Sequence, residues 1–374
     1  MARYGSAYPK FVTLAAALAL AGCGGSGGDS AGSGPIQVTP APSPSPSPSP
    51  SPSPSPTPSP TPAPTPAQTL TGNISPVHDP AIIKAGGYYY VYSTSQVGES
   101  PGLIPIRRSA DLVDWQEVGA VFQTIPQWAQ DRVPGTSGIW APTVWQEGSQ
   151  YRLYYAVSTF GSNVSAIGMA TSPTLDPDDP AYKWTDHGIV IGSTASDDYN
   201  AIDPSIVSDD QGGEWMVFGS FWSGIKLVEL DPATGKPNSA TPTLHSLAER
   251  PSPDAVEAPV LVHHDGYYYL FASYDYCCQG SSSTYYTVVG RSADITGPYV
   301  DKQGRTMMQG YAETVLDADT DDSGRFVGPG SASVLTDGDR SYIAYHAYDT
   351  QQNGAPTLRI RALTWGSDGW PTVQ

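Results

Sequence analysis

Three carboxylates in this chain precede aromatic, strand-like segments at nearly equal distances, and such side chains could carry out acid–base chemistry. Asp79, Asp203 and Glu257 lie 13, 15 and 14 residues before the last aromatic residue of the segment that follows each of them. Carboxylates gathered in a cleft with little water repel one another, and burial disfavours their ionised form, so some of their pKa values rise. Hydrolysis of a glycosidic bond needs such a set, because one carboxyl group protonates the leaving oxygen while another activates water or attacks.

The same residues also have a purely structural explanation. Asp-Pro at Asp79 and Asp203, and Glu-Ala-Pro at Glu257, are typical of turns at strand ends. A single one of them would need no other explanation. Three at matching positions favour a functional site, because interacting titratable groups collect at such sites.

The elements that must position these side chains are five similar aromatic segments. They span residues 87–92, 151–155, 214–218, 267–271 and 341–345. Their last aromatic residues, at positions 92, 155, 218, 271 and 345, are 63, 63, 53 and 74 residues apart. A repeat of a few tens of residues built on short strands predicts a propeller, in which each repeat forms one antiparallel blade. Equivalent positions of the repeats then meet at the central axis.

The composition agrees with an all-β class. The chain of 374 residues contains 39 glycines and 37 prolines, and turn pairs such as Asp265-Gly266 and Asn353-Gly354 separate short runs of Tyr, Val, Ile, Phe and Trp. No amphipathic pattern predicts a helix of more than three turns. We therefore predict a single all-β domain at residues 75–374, a five-bladed β-propeller, which is above the usual domain size but normal for a propeller.

Residues 1–22 predict a signal peptide of the lipoprotein type. Basic residues precede an apolar run at residues 11–21 that is too short to span a bilayer. The sequence Leu-Ala-Gly-Cys at residues 20–23 then resembles a bacterial lipobox, which implies cleavage before Cys23 and lipidation of its thiol. An ordinary secretory signal followed by an incidental cysteine is the alternative. With the lipid, we expect an extracytoplasmic protein anchored to a bacterial membrane, at the cell surface or in the periplasm.

Residues 23–74 predict a linker without regular structure. Its first part is rich in Gly and Ser, and residues 40–66 mostly alternate Pro with Ser or Thr. Such a tract favours an extended polyproline II course of roughly 3.1 Å per residue, so it could hold the domain on the order of 80 Å from a membrane. A glycosylated stalk is the other interpretation of this composition.

The charge balance argues against nucleic acid as a partner. The formal net charge is −18, with 18 basic and 36 acidic residues, whereas phosphate backbones are bound by clustered Lys and Arg. The same negative charge disfavours anionic polymers. A neutral substrate therefore fits the chain better.

Several aromatic side chains near the candidate site could stack on sugar rings or pack between blades. They are Trp140, Phe160, Phe221, Trp222 and Tyr274. Both uses are common for aromatic residues. His346 presents a similar choice, since it follows the fifth aromatic segment and could either point inward or be a satisfied core histidine.

The cysteines outside the predicted signal are two adjacent residues, Cys277 and Cys278. Adjacent cysteines can be joined only through a strained small ring. We therefore expect two half-buried thiols rather than a disulfide.

Longer motifs of this chain resemble the arabinanases of glycoside hydrolase family 43, and the resemblance covers nearly all of residues 75–374. The motifs are His78-Asp79-Pro80, Ile139-Trp140-Ala141-Pro142, residues 157–168, Asn200-Ala201-Ile202-Asp203-Pro204, residues 219–226, Val256-Glu257-Ala258-Pro259, Cys277-Cys278 and residues 354–359. The resemblance implies a five-bladed β-propeller that cleaves α-1,5-linked L-arabinan with inversion of configuration and requires no cofactor.

The resemblance also implies roles for single residues. Asp79 is then the general base, Glu257 the general acid, and Asp203 the residue that raises the pKa of Glu257 and orients it. The order of the three along the chain agrees with the family. The residues implied to line the sugar-binding cleft are Trp140, Gly161, Asn200 and Ser220.

The fifth repeat departs from the family pattern at Ser331. Family members usually have His-Asn where this chain has Ser331-Ala332, and that histidine normally faces a metal, commonly calcium, at the propeller centre. A serine hydroxyl is a poor replacement for an imidazole. We therefore predict no metal ligand at Ser331 and a calcium role that is weakened or lost. A smaller departure is Thr143, where the family usually has Asp.

Our main prediction is an enzyme that cuts internal linkages, an endo-1,5-α-L-arabinanase. Other activities stay open: an exo-acting arabinanase, an arabinofuranosidase, a β-xylosidase, or a lipoprotein that binds arabinan without cutting it. Cleft length decides between the enzymes. The retention of all three carboxylates favours catalysis over binding alone.

Overall fold

Five antiparallel sheets follow one another along the chain, as the aromatic repeat predicts. The computed structural model describes residues 69–95, 101–320 and 324–374. The predicted signal peptide, the lipidation site Cys23 and most of the predicted linker lie outside the described residues. In the described part the protein contains 21 strands and one α-helix, so the all-β prediction is confirmed.

Each blade is one sheet, and the first of its four antiparallel strands lies nearest the axis. Blade 1 contains β1 (Thr71–Gly72), β2 (Ala81–Ala85), β3 (Tyr88–Tyr92), β4 (Leu103–Ser109) and β5 (Asp114–Phe122), with β2 nearest the axis. Blade 2 contains β6 (Trp140–Glu147), β7 (Gln150–Val157), β8 (Ser165–Ser172) and β9 (Thr185–Ser193). Blade 3 contains β10 (Ser205–Ser208), β11 (Glu214–Phe218), β12 (Ile225–Leu230) and β13 (His245–Ala248).

The last two blades complete the ring of five. Blade 4 contains β14 (Val256–His264), β15 (Tyr267–Tyr274), β16 (Tyr286–Ser292) and β17 (Glu313–Leu316). Blade 5 contains β18 (Phe326–Asp337), β19 (Arg340–Asp349), β20 (Ala355–Trp365) and β21 (Pro371–Val373). The five predicted aromatic segments lie on β3, β7, β11, β15 and β19, the second of the four antiparallel strands in each blade. The predicted five-bladed β-propeller is therefore confirmed.

Strand β1 extends blade 1 beyond the predicted start of the domain. It pairs in parallel with β5 at the outer edge of the sheet, and Leu70 just before it is buried. The fold therefore begins before Ser75. A two-residue strand at the end of a polar tract has no periodicity that could separate it from the linker.

The hydrophobic core is divided into five clusters, one between each pair of neighbouring blades. Successive residues of a strand point to opposite faces of the sheet, so a single strand serves two clusters. On β3, Tyr90 and Tyr92 pack toward blade 2, whereas Val91 packs toward blade 5. The aromatic repeat thus arises because every blade is buried on both faces.

Blade 5 closes the ring against the segment that precedes β2. The backbone N–H of Val77 donates to the carbonyl of Pro356 at 2.8 Å, and the N–H of Leu358 donates to the carbonyl of Ile74 at 2.8 Å. These bonds join the two ends of the domain. The axial residues of all five blades are consequently held in one place.

Helices contribute little to the described part of the chain. The α-helix α1 (Gln127–Arg132) connects blades 1 and 2. Short 3₁₀ turns occupy Gly280–Ser282, Met307–Gln309, Ala318–Thr320 and Thr350–Gln352. No helix among the described residues is both long and apolar enough to cross a membrane. The prediction that helices stay shorter than three turns is confirmed for these residues.

Candidate active site

A bend at or just before the strand nearest the axis brings one residue of each blade to the central channel. The φ values there are 52, 38, 58, 50 and 49° at Asp79, Ala141, Asp203, Ala258 and Ser331. These left-handed conformations are uncommon for residues other than glycine. All five residues line a central channel of about 370 Å³. Equivalent positions of the repeats therefore meet, as the sequence predicts.

Glu257 does not share the repeat position of Asp79 and Asp203, so that part of the sequence prediction is wrong. Ala258 holds the equivalent bend in blade 4, and Glu257 precedes it. The pairing of β14 with β15 shifts between Glu257 and Val260, because the bend interrupts the regular ladder. Glu257 still belongs to the same site, since its charge and that of Asp79 both act on Asp203.

Asp79 is an ionised carboxylate held by several contacts. Oδ2 accepts a hydrogen bond from Thr94 Oγ1 at 2.5 Å and lies 2.9 Å from His78 Nδ1, while the backbone N–H donates to His346 Nδ1 at 3.2 Å. Burial on its own would raise the pKa of Asp79, but His78, helped by His346 and Thr94, lowers it well below its usual range. Asp79 is therefore negatively charged near neutral pH, as a general base must be.

His78 is the imidazole partner of Asp79. Burial opposes the charged form of the imidazole, but the adjacent Asp79 carboxylate outweighs burial and raises the pKa of His78 above its ordinary value of 6.5. Nε2 of His78 lies 2.9 Å from the hydroxyl of Tyr348, and the ring stacks on His346 with centroids 3.8 Å apart. These contacts fix the imidazole beside the carboxylate that it neutralises.

The carboxyl group of Glu257 lies between two hydroxyl groups. Ser220 Oγ donates to Oε2 at 2.7 Å, and the hydroxyl of Tyr285 donates to Oε1 at 2.8 Å. Burial raises the pKa of Glu257 and outweighs these hydrogen bonds, which favour the ionised form; the charge of Asp79 adds to the rise. Glu257 can thus keep a proton to higher pH than an ordinary glutamate, as a general acid must.

Asp203 is influenced by the charges of both other carboxylates. It accepts the backbone N–H of Ala258 at 3.0 Å. Burial, followed by the charges of Glu257 and Asp79, raises the pKa of Asp203 well above its ordinary value of 3.8. Because repulsion between ionised carboxylates is mutual, Asp203 and Glu257 titrate as a coupled pair, and the charge on one raises the pKa of the other. The bond to the residue after Glu257 also ties Asp203 to the strand that carries the acid.

The four residues predicted to line the cleft have different surroundings. Ser220 bonds directly to the candidate acid. Trp140 begins β6 and is half-buried, and Gly161 lies in an exposed turn. Asn200 is buried, and its Oδ1 accepts a hydrogen bond from Ser165 Oγ at 2.7 Å. Contact of these residues with a sugar stays a prediction.

The aromatic candidates separate into core and surface. Tyr274 is buried in the cluster between blades 3 and 4, so it packs rather than stacks on a ligand. Phe160 is 84% exposed. Phe221 and Trp222 are half-buried, and the Phe221 ring lies 6.1 Å from that of Tyr276, which is exposed. The exposed and half-buried rings stay available for sugar contacts.

Cys277 and Cys278 are joined by a disulfide, so the prediction of two free thiols is wrong. The pair lies in the loop after β15, and Cys278 has a left-handed φ of 66°. A loop without ladder hydrogen bonds can make the turn that brings adjacent sulfurs together. The N–H of Cys278 donates to the hydroxyl of Tyr348 at 2.7 Å, and its sulfur lies 3.8 Å from His78 Nε2. The disulfide therefore adjoins the residues that support the candidate base.

Ser331 does not fit the calcium site that the family resemblance suggests. Its N–H donates to Ser273 Oγ at 2.8 Å, and its side chain offers a single hydroxyl, whereas calcium prefers six to eight oxygen ligands. Among the described residues, groups of three close potential ligands are His78-Asp79-His346 and His78-Cys277-Cys278. The first is already joined by internal hydrogen bonds and the second contains the disulfide, so we assign no chemical step to a metal.

Sequence reasoning gave no role to several residues that support the carboxylates. Thr94 and Tyr285 bond to Asp79 and Glu257, and no spacing in the sequence indicates these contacts because they depend on how the chain folds around the axis. The sequence does indicate that His346 and Tyr348 point in the same direction. They are two residues apart on β19 and so lie on the same face.

Two relatives resemble the chain over most of its length. The chain is 43% identical over 298 residues to the extracellular endo-alpha-(1->5)-L-arabinanase 1 of Bacillus subtilis, with 79% of this chain and 87% of that protein covered. It is 41% identical over 309 residues to an extracellular exo-alpha-(1->5)-L-arabinofuranosidase of Cellvibrio japonicus, with 79% and 86% covered. The two relatives differ in their mode of cleavage.

A solved structure and a family pattern agree with these relatives. The family 43 endo-arabinanase from Bacillus licheniformis superposes with a TM-score of 0.74 at 42% identity, with 82% of this chain and 99% of that chain covered. The sequence pattern of the Glycosyl hydrolases family 43 matches residues 74–371. The chain therefore belongs to glycosyl hydrolase family 43.

Proposed function

We propose that this protein is an inverting glycosidase that cleaves internal α-1,5-L-arabinofuranosyl linkages of arabinan. The observation that carries the proposal is one cluster of three half-buried carboxylates, in which the pKa of Asp79 is lowered and those of Asp203 and Glu257 are raised. Relatives named for arabinan cleavage support the substrate class. The formal net charge of −18 supports a neutral substrate.

In this mechanism Asp79 activates the attacking water. Thr94 and His78 both contact Oδ2. Oδ1 lies 3.9 Å from His346 Nδ1, beyond hydrogen-bond distance, and is the oxygen available to take a proton. The water oxygen attacks the anomeric carbon while its proton moves to Asp79. The imidazole of His78 lowers the pKa of Asp79 and so favours its ionised form until that transfer.

Glu257 supplies the second proton transfer. As the bond between the anomeric carbon and the leaving oxygen breaks, the proton held by Glu257 and Asp203 moves through Glu257 to that oxygen. The hydroxyls of Ser220 and Tyr285 then stabilise the Glu257 carboxylate that remains. One proton is taken and one is given, so the reaction needs no cofactor.

Inversion requires space for water between base and sugar. We expect the carboxyl groups of Asp79 and Glu257 to lie about 6.5 to 9.5 Å apart when substrate is bound. NMR of the first product should show the β-anomer from an α-linkage. Retention of the α-configuration would contradict the assignment of Asp79 as a base.

A time course of products from linear arabinan tests the function and its mode. Internal cutting should give a ladder of oligomers at the first time points. A single short product from the start would instead assign the exo mode, which one of the two relatives carries in its name. Binding of arabinan without release of reducing ends would make the protein a binding module.

Replacement of Asp203 by asparagine should move the basic limb of the pH–rate profile to lower pH. In the parent protein, loss of the last proton from the Glu257–Asp203 pair puts two negative charges side by side, which holds that proton to higher pH. A neutral amide removes the repulsion, so Glu257 ionises earlier. The measurement is kcat against pH on linear arabinan, and an unmoved basic limb would show that Asp203 does not act on Glu257.

Chelator treatment should change activity little, because Ser331 offers a poor metal site. We expect the protein to keep most of its arabinan-cleaving rate after EDTA treatment and dialysis, and Ser331→His to fold with an unchanged thermal midpoint. A large loss that calcium alone restores would contradict this prediction.

We also propose that the protein is extracytoplasmic and anchored through lipid on Cys23. The lipobox-like residues 20–23 and the spacer at residues 40–66 support the anchor, and the extracellular relatives support the compartment. Mass spectrometry of membrane-extracted protein should find acylated Cys23 at the N-terminus. A soluble mature chain that lacks Cys23 would exclude the anchor.

A further inference from the structure

His346 is a buried imidazole that none of the proposed proton transfers uses. It lies on β19 with 0% of its surface exposed. Its ring stacks between two others, with centroid distances of 3.8 Å to His78 and 6.0 Å to Tyr285. Since the Tyr285 hydroxyl binds Glu257 at 2.8 Å, one ring contacts the supports of both candidate catalytic groups.

A hydrogen bond from the backbone of Asp79 defines the protonation state of this ring. His346 Nδ1 accepts the N–H of Asp79 at 3.2 Å. A ring nitrogen that accepts carries no proton, so the proton of the neutral ring is on Nε2. Nε2 is buried and has no hydrogen-bond partner among the described residues. A buried donor without a partner lowers the stability of the folded protein. An apolar side chain could fill the same space without this loss, so packing alone does not account for a histidine here.

The hydrogen bond between Asp79 and His346 lies at the bend that sets the direction of the Asp79 carboxylate. Asp79 has a φ of 52°, a conformation that costs free energy and persists only where neighbouring groups enforce it. In that conformation its carboxylate lies 2.9 Å from His78 and 2.5 Å from Thr94. A contact that restrains the N–H of Asp79 therefore also restrains the direction of its carboxylate.

We infer that His346 is a positioning residue for the general base: its Nδ1 holds the N–H of Asp79 and thereby keeps the carboxylate aimed at His78, Thr94 and the attacking water. The inference rests on the proposed function, because it takes Asp79 as the base.

Neighbouring groups keep His346 in the neutral form that this role needs. The charged groups that face it are His78 and Asp79, and the rings of Tyr285 and Tyr348 cover its other sides. Burial first, and then the positive charge of His78, lower the pKa of His346 well below its ordinary value of 6.5. The lowered pKa favours the neutral ring of His346, in which Nδ1 accepts the N–H of Asp79.

Two substitutions separate the acceptor from the ring. His346→Phe keeps a buried ring and removes Nδ1, whereas His346→Asn loses the ring and can keep an acceptor near the Nδ1 position. His346→Phe should lower kcat on linear arabinan on the order of 10²-fold, the scale of a misplaced catalytic group, with little change in KM. His346→Asn should recover most of that loss. His263→Phe is the matched control, since His263 also stacks on an aromatic ring, that of Tyr268, but lies at the exposed end of β14.

The acidic limb of the pH profile of kcat/KM tests the positioning role, because a loss of packing alone should not shift it. Asp79 is faced by His78, Thr94 and His346, with Asp203 and Glu257 as nearby carboxylates. If His346→Phe lets the carboxylate turn away from His78, the pKa of Asp79 rises and the acidic limb moves to higher pH. Wild-type kcat with an unmoved limb would overturn the inference. So would equal losses in His346→Phe and His346→Asn that follow their thermal midpoints.

Two further measurements keep the outcomes distinct. Asp79→Asn is assayed in parallel: an active Asp79→Asn protein rejects the proposed base itself, whereas an inactive one beside a fully active His346→Phe protein rejects only this inference. If His346→Phe does not fold, ¹⁵N spectra of histidine-labelled wild-type protein decide the matter. His346, assigned by its loss in His346→Asn, should show an unprotonated Nδ1 throughout the active pH range, and a protonated Nδ1 would overturn the inference.

Discussion

Replacement of Glu257 by alanine should lower kcat on linear arabinan by about 10²- to 10⁴-fold, the range that a positioned acid contributes. The leaving oxygen of a sugar is a poor leaving group unless it is protonated, and in the proposed mechanism the half-buried carboxyl of Glu257 between Ser220 and Tyr285 supplies that proton. An arabino-oligosaccharide with a nitrophenyl leaving group needs no such proton. Its hydrolysis should fall far less, so the ratio of the two rates identifies the acid.

The matched control for this prediction is Glu229→Ala, which removes an exposed glutamate from β12. It should leave both rates unchanged. Equal losses on the two substrates in Glu257→Ala would contradict the acid role, as would full activity on linear arabinan.

Replacement of Asp79 by alanine should lower kcat by a similar factor on both substrates, because the attacking water must be activated whatever the leaving group. The loss should be the same for linear arabinan and for the nitrophenyl oligosaccharide. His78 and Thr94 remain in place without the carboxylate they contact, so the binding of substrate should change less than its turnover. Steady-state kinetics with both substrates measure the two patterns side by side.

Asp339→Ala is the control for Asp79→Ala, since Asp339 lies exposed in the turn between β18 and β19. It should have the rate of the parent protein. If Asp79→Ala were rescued by the activated substrate as Glu257→Ala is, the roles of the two carboxylates would have to be exchanged.

The fold class and the blade count could be predicted from the sequence because they depend on local patterns. A strand buried on both faces needs large apolar residues at successive positions, and five such segments at similar spacing require five blades. The same spacing also located Asp79 and Asp203. The spacing assigned Glu257 to the wrong repeat position, because a count of residues to the aromatic segment does not show which residue forms the bend.

Proline at the following position marks the true register. Asp79, Ala141, Asp203 and Ala258 each precede a proline and each have a left-handed φ. An alignment of the repeats on these prolines would have assigned Ala258 to the axis and Glu257 to the position before it. The repeat position of Glu257 could therefore have been predicted from the prolines, although not from the aromatic spacing.

Only the tertiary structure decided which groups surround the three carboxylates. Thr94 follows β3, Tyr285 precedes β16 and His346 lies within β19. These positions lie next to one another because the blades close into a ring. Cys277 and Cys278 are joined because their loop leaves the ladder and can turn, a property of backbone geometry rather than of residue type. The sequence alone determined the carboxylates, the strands and the predicted signal and linker, since these are local in composition and pattern. Contacts between residues far apart in the chain depend on packing, and the support of Asp79 by His346, which is 267 residues away, is of this second kind.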